Sequence, residues 1–227
     1  MIVTIDGPAG SGKSTTARRV APRLDYVYLD TGAMYRAVAL GFLWADAAAT
    51  PEEALDVLPT RDVDVEYRNG TMQVFLGEET VTDAIRTAEV DEVVSDVATL
   101  RPVREYMVEE QRRIGHEQAD VHGGVVVDGR DTGTVVFPNA DVKIFMVADI
   151  DERAQRRLQE YKAAGEEVSF EEVRAEIERR DRQDRNRDLA PLRRAEDAER
   201  FDTTDCSIAE QVDFVVDRVK AHPSWGT

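Results

Sequence analysis

The order of apolar and polar positions divides the chain into alternating strand-like and helix-like stretches. Residues 2–5 form a short apolar run suited to a buried strand, and residues 14–24 follow as a helix with few breakers. A second unit of the same kind is predicted from a β-prone run at 26–29 and a stretch at 33–45 with apolar residues at helical density. Residues 62–67 and 72–76 are rich in β-formers and flank Asn69-Gly70, a strong short-range hairpin signal. Helices are predicted over 89–98 and 102–117, the second with Pro102 in its first turn, where the missing N–H costs nothing. Residues 125–127 and 142–147 read as buried strands, 151–164 and 170–185 as highly charged helices, and 208–221 as a closing amphipathic helix. Strands alternating with helices predict an α/β fold with a mainly parallel sheet and helices on both faces, interrupted by a small antiparallel lobe.

The loop between the first predicted strand and helix changes this from a fold into a chemistry. Gly7-Pro8-Ala9-Gly10-Ser11-Gly12-Lys13-Ser14 fits G-x-x-x-x-G-K-[ST] in the strand–loop–helix setting that this phosphate-cradling loop requires. Its glycines let the backbone curl so that successive N–H groups point inward. Lys13 brings a positive charge to the terminal phosphates, and Ser14 offers a hydroxyl to Mg²⁺. The chain is therefore expected to handle a nucleoside triphosphate on a sheet of the P-loop NTPase type.

At 227 residues the chain fits one domain, or a core with inserted lobes. No basic region precedes the first strand, and the most apolar stretch, 37–45, is too short to cross a bilayer, so a soluble cytoplasmic protein is expected. Cys206 is the sole cysteine and reads as a small core residue, and the three histidines lack metal-ligand spacing. The net charge of −17 makes nucleic acid an improbable partner, although an arginine cluster in a cleft can still hold a small anion. Adaptation to a salt-rich cytoplasm is one explanation of that charge. No long apolar surface pattern stands out, so a monomer is expected.

Ligands of open α/β sheets bind beyond the carboxyl ends of the strands. Two loops there are unusual: Asp30-Thr31-Gly32-Ala33-Met34-Tyr35-Arg36, and Asp128-Gly129-Arg130-Asp131-Thr132-Gly133 after the valine run. A guanidinium offers a fixed fork of donors that matches a phosphate, so Arg36 and Arg130 suit a second phosphate facing the first. Helix capping by Asp30 or Thr31, and a glycine turn with a surface ion pair, are the plainer readings of the same residues. Arg153, Arg156 and Arg157 on one late helix, with Arg180, Asp184 and Arg187 on the next, are read either as solvated faces or as a lid whose arginines reach a triphosphate on closure.

Taken together, these segments resemble the bacterial-type cytidylate kinases. The resemblance runs through T-I-D-G-P-A-G-S-G-K-S-T (4–15), L-D-T-G-A-M-Y-R (29–36), I-R-T-A-E-V (85–90), D-G-R-D-T-G-T-V-V-F-P-N-A (128–140), V-K-I-F (142–145), R-D-R-Q-D-R-N-R (180–187) and A-P-L (190–192). It implies transfer of the γ-phosphate of ATP, with Mg²⁺, to CMP or dCMP. It also implies a core at about 1–45 and 118–227, a nucleoside-monophosphate-binding lobe with the hairpin insert at about 46–117, and a helical lid at about 151–187. Gly7, Pro8, Ala9, Gly10, Ser11, Gly12, Lys13, Ser14 and Thr15 are then the ATP site, with Ser14 on the metal. Lys13, Arg36, Arg130 and Arg157 are the expected catalytic groups. Arg36 and Arg130 hold the acceptor phosphate, Arg180 and Asp184 the sugar, and Thr31, Ser95, Arg104 and Asp131 the cytosine, with Arg187 near the base or the phosphates. A regulatory GTPase would need an N-K-x-D motif, and no Asn-Lys pair exists in the chain. A kinase acting on a hydroxyl would be shorter and would leave the hairpin lobe without a reason, while a silent nucleotide-binding module would not need every acceptor arginine.

Overall fold

Four short runs of largely apolar residues and one exposed, charged edge strand assemble the central sheet, and in the computed structural model residues 1–163 and 165–226 are described. The strands β1 (Ile2–Asp6), β2 (Val27–Asp30), β6 (Val125–Gly129), β7 (Val142–Val147) and β8 (Glu199–Asp202) lie in the order β2-β6-β1-β7-β8, every pair parallel. Parallel sheets are covered on both faces, so the usual alternation disappears. Val125, Val126 and Val127 are accordingly all fully buried. Val3, Ile5, Val126 and Met146 meet α1 (Lys13–Arg23) and α8 (Ile208–Lys220) on one face. Leu29, Val125 and Val127 meet α2 (Thr31–Trp44) and α5 (Arg101–His122) on the other.

The antiparallel insert is a three-stranded sheet, β3 (Val63–Arg68), β4 (Thr71–Leu76) and β5 (Glu79–Thr80). Its Asn69-Gly70 turn has both residues left-handed, at φ 52° and 74°, as the two-residue hairpin demands. Tyr67 Oη donates to Tyr28 O at 2.9 Å and fastens the insert to β2. Along the chain α3 (Pro51–Val57) precedes the insert and α4 (Ala88–Val97) follows it, both packing against α2. The helices α6 (Ile150–Ala163) and α7 (Phe170–Asn186) pack on each other through Ala154, Leu158, Val173 and Ile177, a small core of their own.

Several boundaries differ from the sequence reading. The second helix begins at Thr31 because Asp30 caps it, its Oδ1 accepting from Ala33 N at 3.0 Å. The helix expected over 102–117 continues to His122, where Gly123 ends it in the left-handed conformation at φ 74°. The predicted end of the 151–164 helix, Ala164, lies outside the described residues. Cys206 is half-buried rather than core, its Sγ donating to Asp202 O at 3.5 Å. Among the described residues no helix is long and apolar enough to cross a membrane.

Candidate active site

The first crossover runs from β1 toward β2 and the last from β7 toward β8, so the chain departs in opposite directions around β1. Such a switch point leaves a crevice at the strand ends. A cleft of about 520 Å³ opens there, lined by the β1–α1 loop, the start of α2, the middle of α4, the loop after β6, and one side of α6 and α7.

The loop is shaped by its glycines and braced from outside. Gly10 and Gly12 are left-handed at φ 74° and 90°, and a Cβ on Gly12 would stand 2.7 Å from Gln211 Oε1. Gly12 caps α1 without a side chain, and helix N-termini of this kind attract anions. Arg153 Nη1 donates to Ala9 O at 3.0 Å, Thr203 Oγ1 to Ser11 O at 2.9 Å, and Thr16 Oγ1 to Gln211 Oε1 at 2.8 Å. Ala9, Gly10, Gly12, Lys13, Ser14 and Thr15 line the cleft; Gly7, Pro8 and Ser11 lie beneath and give the loop its form.

Lys13 is buried, with Nζ 3.4 Å from Pro8 O. Burial pulls its ammonium down to about 7, and repulsion from Arg130 adds to this against the pull of Asp128 and Asp184. Beside it, Ser14 Oγ donates to Asp128 Oδ2 at 2.5 Å and Tyr28 Oη to Asp128 Oδ1 at 2.8 Å. Burial pushes the Asp128 carboxyl up to about 6, helped by Asp30. A hydroxyl and a carboxylate in contact are hard oxygen donors of the kind that suit Mg²⁺ carried in with phosphates. The Ser14–Asp128 pair therefore fits that ion.

Arginines occupy the facing walls. Arg36 Nη1 donates to Ile85 O at 3.2 Å, and its Nη2 forms a close ion pair with Asp91. Arg130 Nε donates to Asp184 Oδ2 at 2.8 Å, while Arg187 Nη2 lies 3.5 Å from Asp184 Oδ1. Burial raises the Asp184 carboxyl, but Arg130 and Arg187 outweigh it and hold the carboxyl below its usual range. Arg157 pairs with Glu160 at 2.9 Å and Arg180 with Glu176 at 3.4 Å, and all four side chains border the cleft.

Thr31, Ser95 and Asp131 also line it. Thr31 Oγ1 donates to Asp128 O at 2.7 Å. Arg104 is the exception among the candidates for CMP: its guanidinium stands behind the cleft lining, paired with Asp131 at 2.5 Å, donating to Ala98 O at 3.3 Å and lying 5.5 Å from the Tyr35 ring centre. The loop after β6 is no glycine turn with a surface ion pair. It enters a π-helical turn, Thr132–Val136, fixed by Asp6, whose Oδ1 accepts from Thr132 N and Oγ1 at 2.9 and 2.8 Å and whose Oδ2 accepts from Gly133 N at 2.7 Å.

Two supports, Asp6 and Tyr28, carry no motif signal of their own in the sequence. Arg153 and Arg156, which the sequence offers either to a solvated face or to a lid, serve neither. Arg153 instead makes a buried two-point contact with Asp181 at 3.1 and 2.9 Å, joining α6, α7 and the phosphate loop. Arg156 donates to Thr203 O and Thr204 O at 2.7 and 3.2 Å.

A phosphate loop at the switch point of a parallel sheet, with arginines across one cleft, defines a P-loop protein built to hold two anionic groups. Comparison with known proteins agrees. Residues 3–221 match the family model described as cytidylate kinase. The chain is 78% identical to a cytidylate kinase of Salinibacter ruber over the full length of both, and 45% identical to that of Bacillus subtilis over 96% of each. A solved structure of an uncharacterized protein from Eubacterium ventriosum, 12% identical, superposes over 98% of this chain and 99% of its own with a TM-score of 0.51, which supports the fold alone. The chain belongs to the cytidylate kinase family, nucleoside monophosphate kinases that phosphorylate CMP and dCMP.

Proposed function

We propose that the chain transfers the γ-phosphate of ATP to the phosphate of CMP or dCMP, using the two faces of the cleft as two phosphate grips. The observation that carries this is that Lys13, Ser14, Arg36 and Arg130 line one cleft. The loop from Gly7 to Thr15 cradles the triphosphate with the amides of residues 10–15, and Lys13 draws charge from its terminal oxygens. Arg36 and Arg130 grip the acceptor phosphate, and Arg157 neutralises charge on the group in flight. Arg180 and Asp184 bind the sugar. Thr31, Ser95 and Asp131 read cytosine, Arg104 orients Asp131 from behind, and Arg187 holds Asp184.

The acceptor phosphate has its second pKa at about 6 and is already a dianion near neutrality, so no general base is needed. One of its oxygens attacks the γ-phosphorus, the bond from that phosphorus to the β,γ-bridging oxygen breaks, and ADP leaves with the electron pair. Ser14 would ligate Mg²⁺ carried in with the triphosphate and Asp128 would order its waters, and the ion would supply charge neutralisation. The chain's own work is alignment and exclusion of water. For that, the segment 153–187 of α6 and α7 closes over the triphosphate as a lid, while the 31–104 region closes on the acceptor. The enzyme acts as a cytoplasmic monomer, with no nucleic acid or membrane partner. The test is ADP release from ATP, Mg²⁺ and each nucleoside monophosphate in turn: CMP and dCMP should lead, and release driven equally by AMP or GMP would overturn the reading.

A further inference from the structure

Each arginine assigned to a phosphate or sugar is met by a carboxylate in the cleft, yet only Asp184 among those carboxylates has a part in binding. Asp91 is the most consequential of the rest. It lies in α4, its side chain is 39% exposed, it borders the cleft, and it forms an ion pair with Arg36, whose side chain is 24% exposed. Ile85 O accepts from the other arm of the same guanidinium at 3.2 Å, so Arg36 is oriented by two acceptors on the acceptor-side lobe. The two differ in charge. A carbonyl orients the fork and leaves its charge intact. A carboxylate orients it and also cancels much of the field that an incoming dianion would feel. Arg180 feels the same Asp91 charge from α7.

We propose that Asp91 is an affinity-setting residue: it stands in for the acceptor phosphate at Arg36 and weakens the binding of CMP through its negative charge. This rests on Arg36 being the acceptor-phosphate grip. Five N–H donors on one guanidinium leave room for both Asp91 and a phosphate oxygen, so the carboxylate need not depart when the nucleotide arrives. It then stands near the dianion, and like charges at such separations repel. Weak acceptor binding lets product leave, and it makes affinity respond to salt, because a half-exposed pair is screened by mobile ions.

Asp91→Asn isolates the charge, since Asn retains an oxygen acceptor for Arg36. Calorimetric titration with CMP, and with cytidine as the analogue lacking phosphate, reads the effect. The variant should bind CMP about fivefold more tightly than the natural protein in dilute buffer, the gain should shrink in molar KCl, and cytidine binding should stay the same. Equal or weaker CMP binding by the variant would overturn the proposal, as would an equal gain for cytidine, which would reflect a change in cleft shape. Failure of the natural protein to bind CMP at all would instead remove the functional reading on which the proposal rests.

Discussion

Ser14 and Asp128, separated by 114 residues of sequence, meet at 2.5 Å, with the serine hydroxyl donating to the carboxylate that ends the valine strand. The bond ties the start of α1 to the end of β6 across the middle of the cleft. Burial has a thermodynamic consequence here. The Asp128 carboxyl is raised from 3.8 to about 6, so the folded chain holds that proton more tightly than the unfolded one. Its stabilising contribution is present below about pH 3.8 and is lost as pH rises through about 6. Asp128→Asn should therefore be more stable than the natural protein at pH 7.5, by an amount on the order of 2 kcal/mol, with the gap closing toward pH 4. Urea unfolding at the two pH values checks this, and a variant equally destabilised at both would contradict it.

Lys13→Ala should lower phosphoryl transfer by about a thousandfold, the scale lost when a group aimed at developing charge is removed. The fold should survive, because Lys13 has one long hydrogen bond to Pro8 O and its ammonium is disfavoured by burial. Circular dichroism and melting alongside the assay separate the two effects. Turnover near the natural rate would refute the assignment of the loop.

Arg153→Met should cost about 3–5 kcal/mol, because it leaves the buried Asp181 carboxylate with only the exposed Arg185 guanidinium, at 3.8 Å, as a cationic partner. Replacing Asp181 by Leu as well should restore much of that stability. Restored stability without restored ATP affinity would identify the link from Arg153 to Ala9 O as the part that positions the phosphate loop. A single variant as stable as the natural protein would show that the pair is not a strut.

A chain of net charge −17 repels itself, and at 1 M salt the screening length falls to about 3 Å. The midpoint of thermal unfolding should rise by several degrees between dilute buffer and 1 M KCl. No rise would exclude salt adaptation as the reason for the acidic composition.

What the sequence disclosed follows the range of the forces involved. Strands buried on both faces are legible as unbroken apolar runs, and the hairpin through Asn69-Gly70, whose backbone only a few residue types adopt. Strand β8 was illegible: Glu199-Arg200-Phe201-Asp202 sits at the sheet edge, largely exposed, and owes its shape to pairing with β7. Helix α3 carries a local signal, Thr50 ahead of Pro51, Glu52 and Glu53, with Thr50 Oγ1 accepting from Glu53 N at 3.3 Å. In the site, motif residues were found because loop chemistry is local. Their supports were not, because Asp6 reaches Thr132 across 126 residues and Arg153 reaches Ala9 across 144, contacts that no local spacing encodes.

The central claim is that two phosphates are brought face to face, one on the loop with Lys13 and the other on Arg36 and Arg130. A crystal structure with ADP, Mg²⁺ and CMP tests it most directly. The CMP phosphate should be in contact with both guanidiniums and the ADP phosphates on the amides of residues 10–15. A CMP phosphate bound away from Arg36 and Arg130 would contradict it.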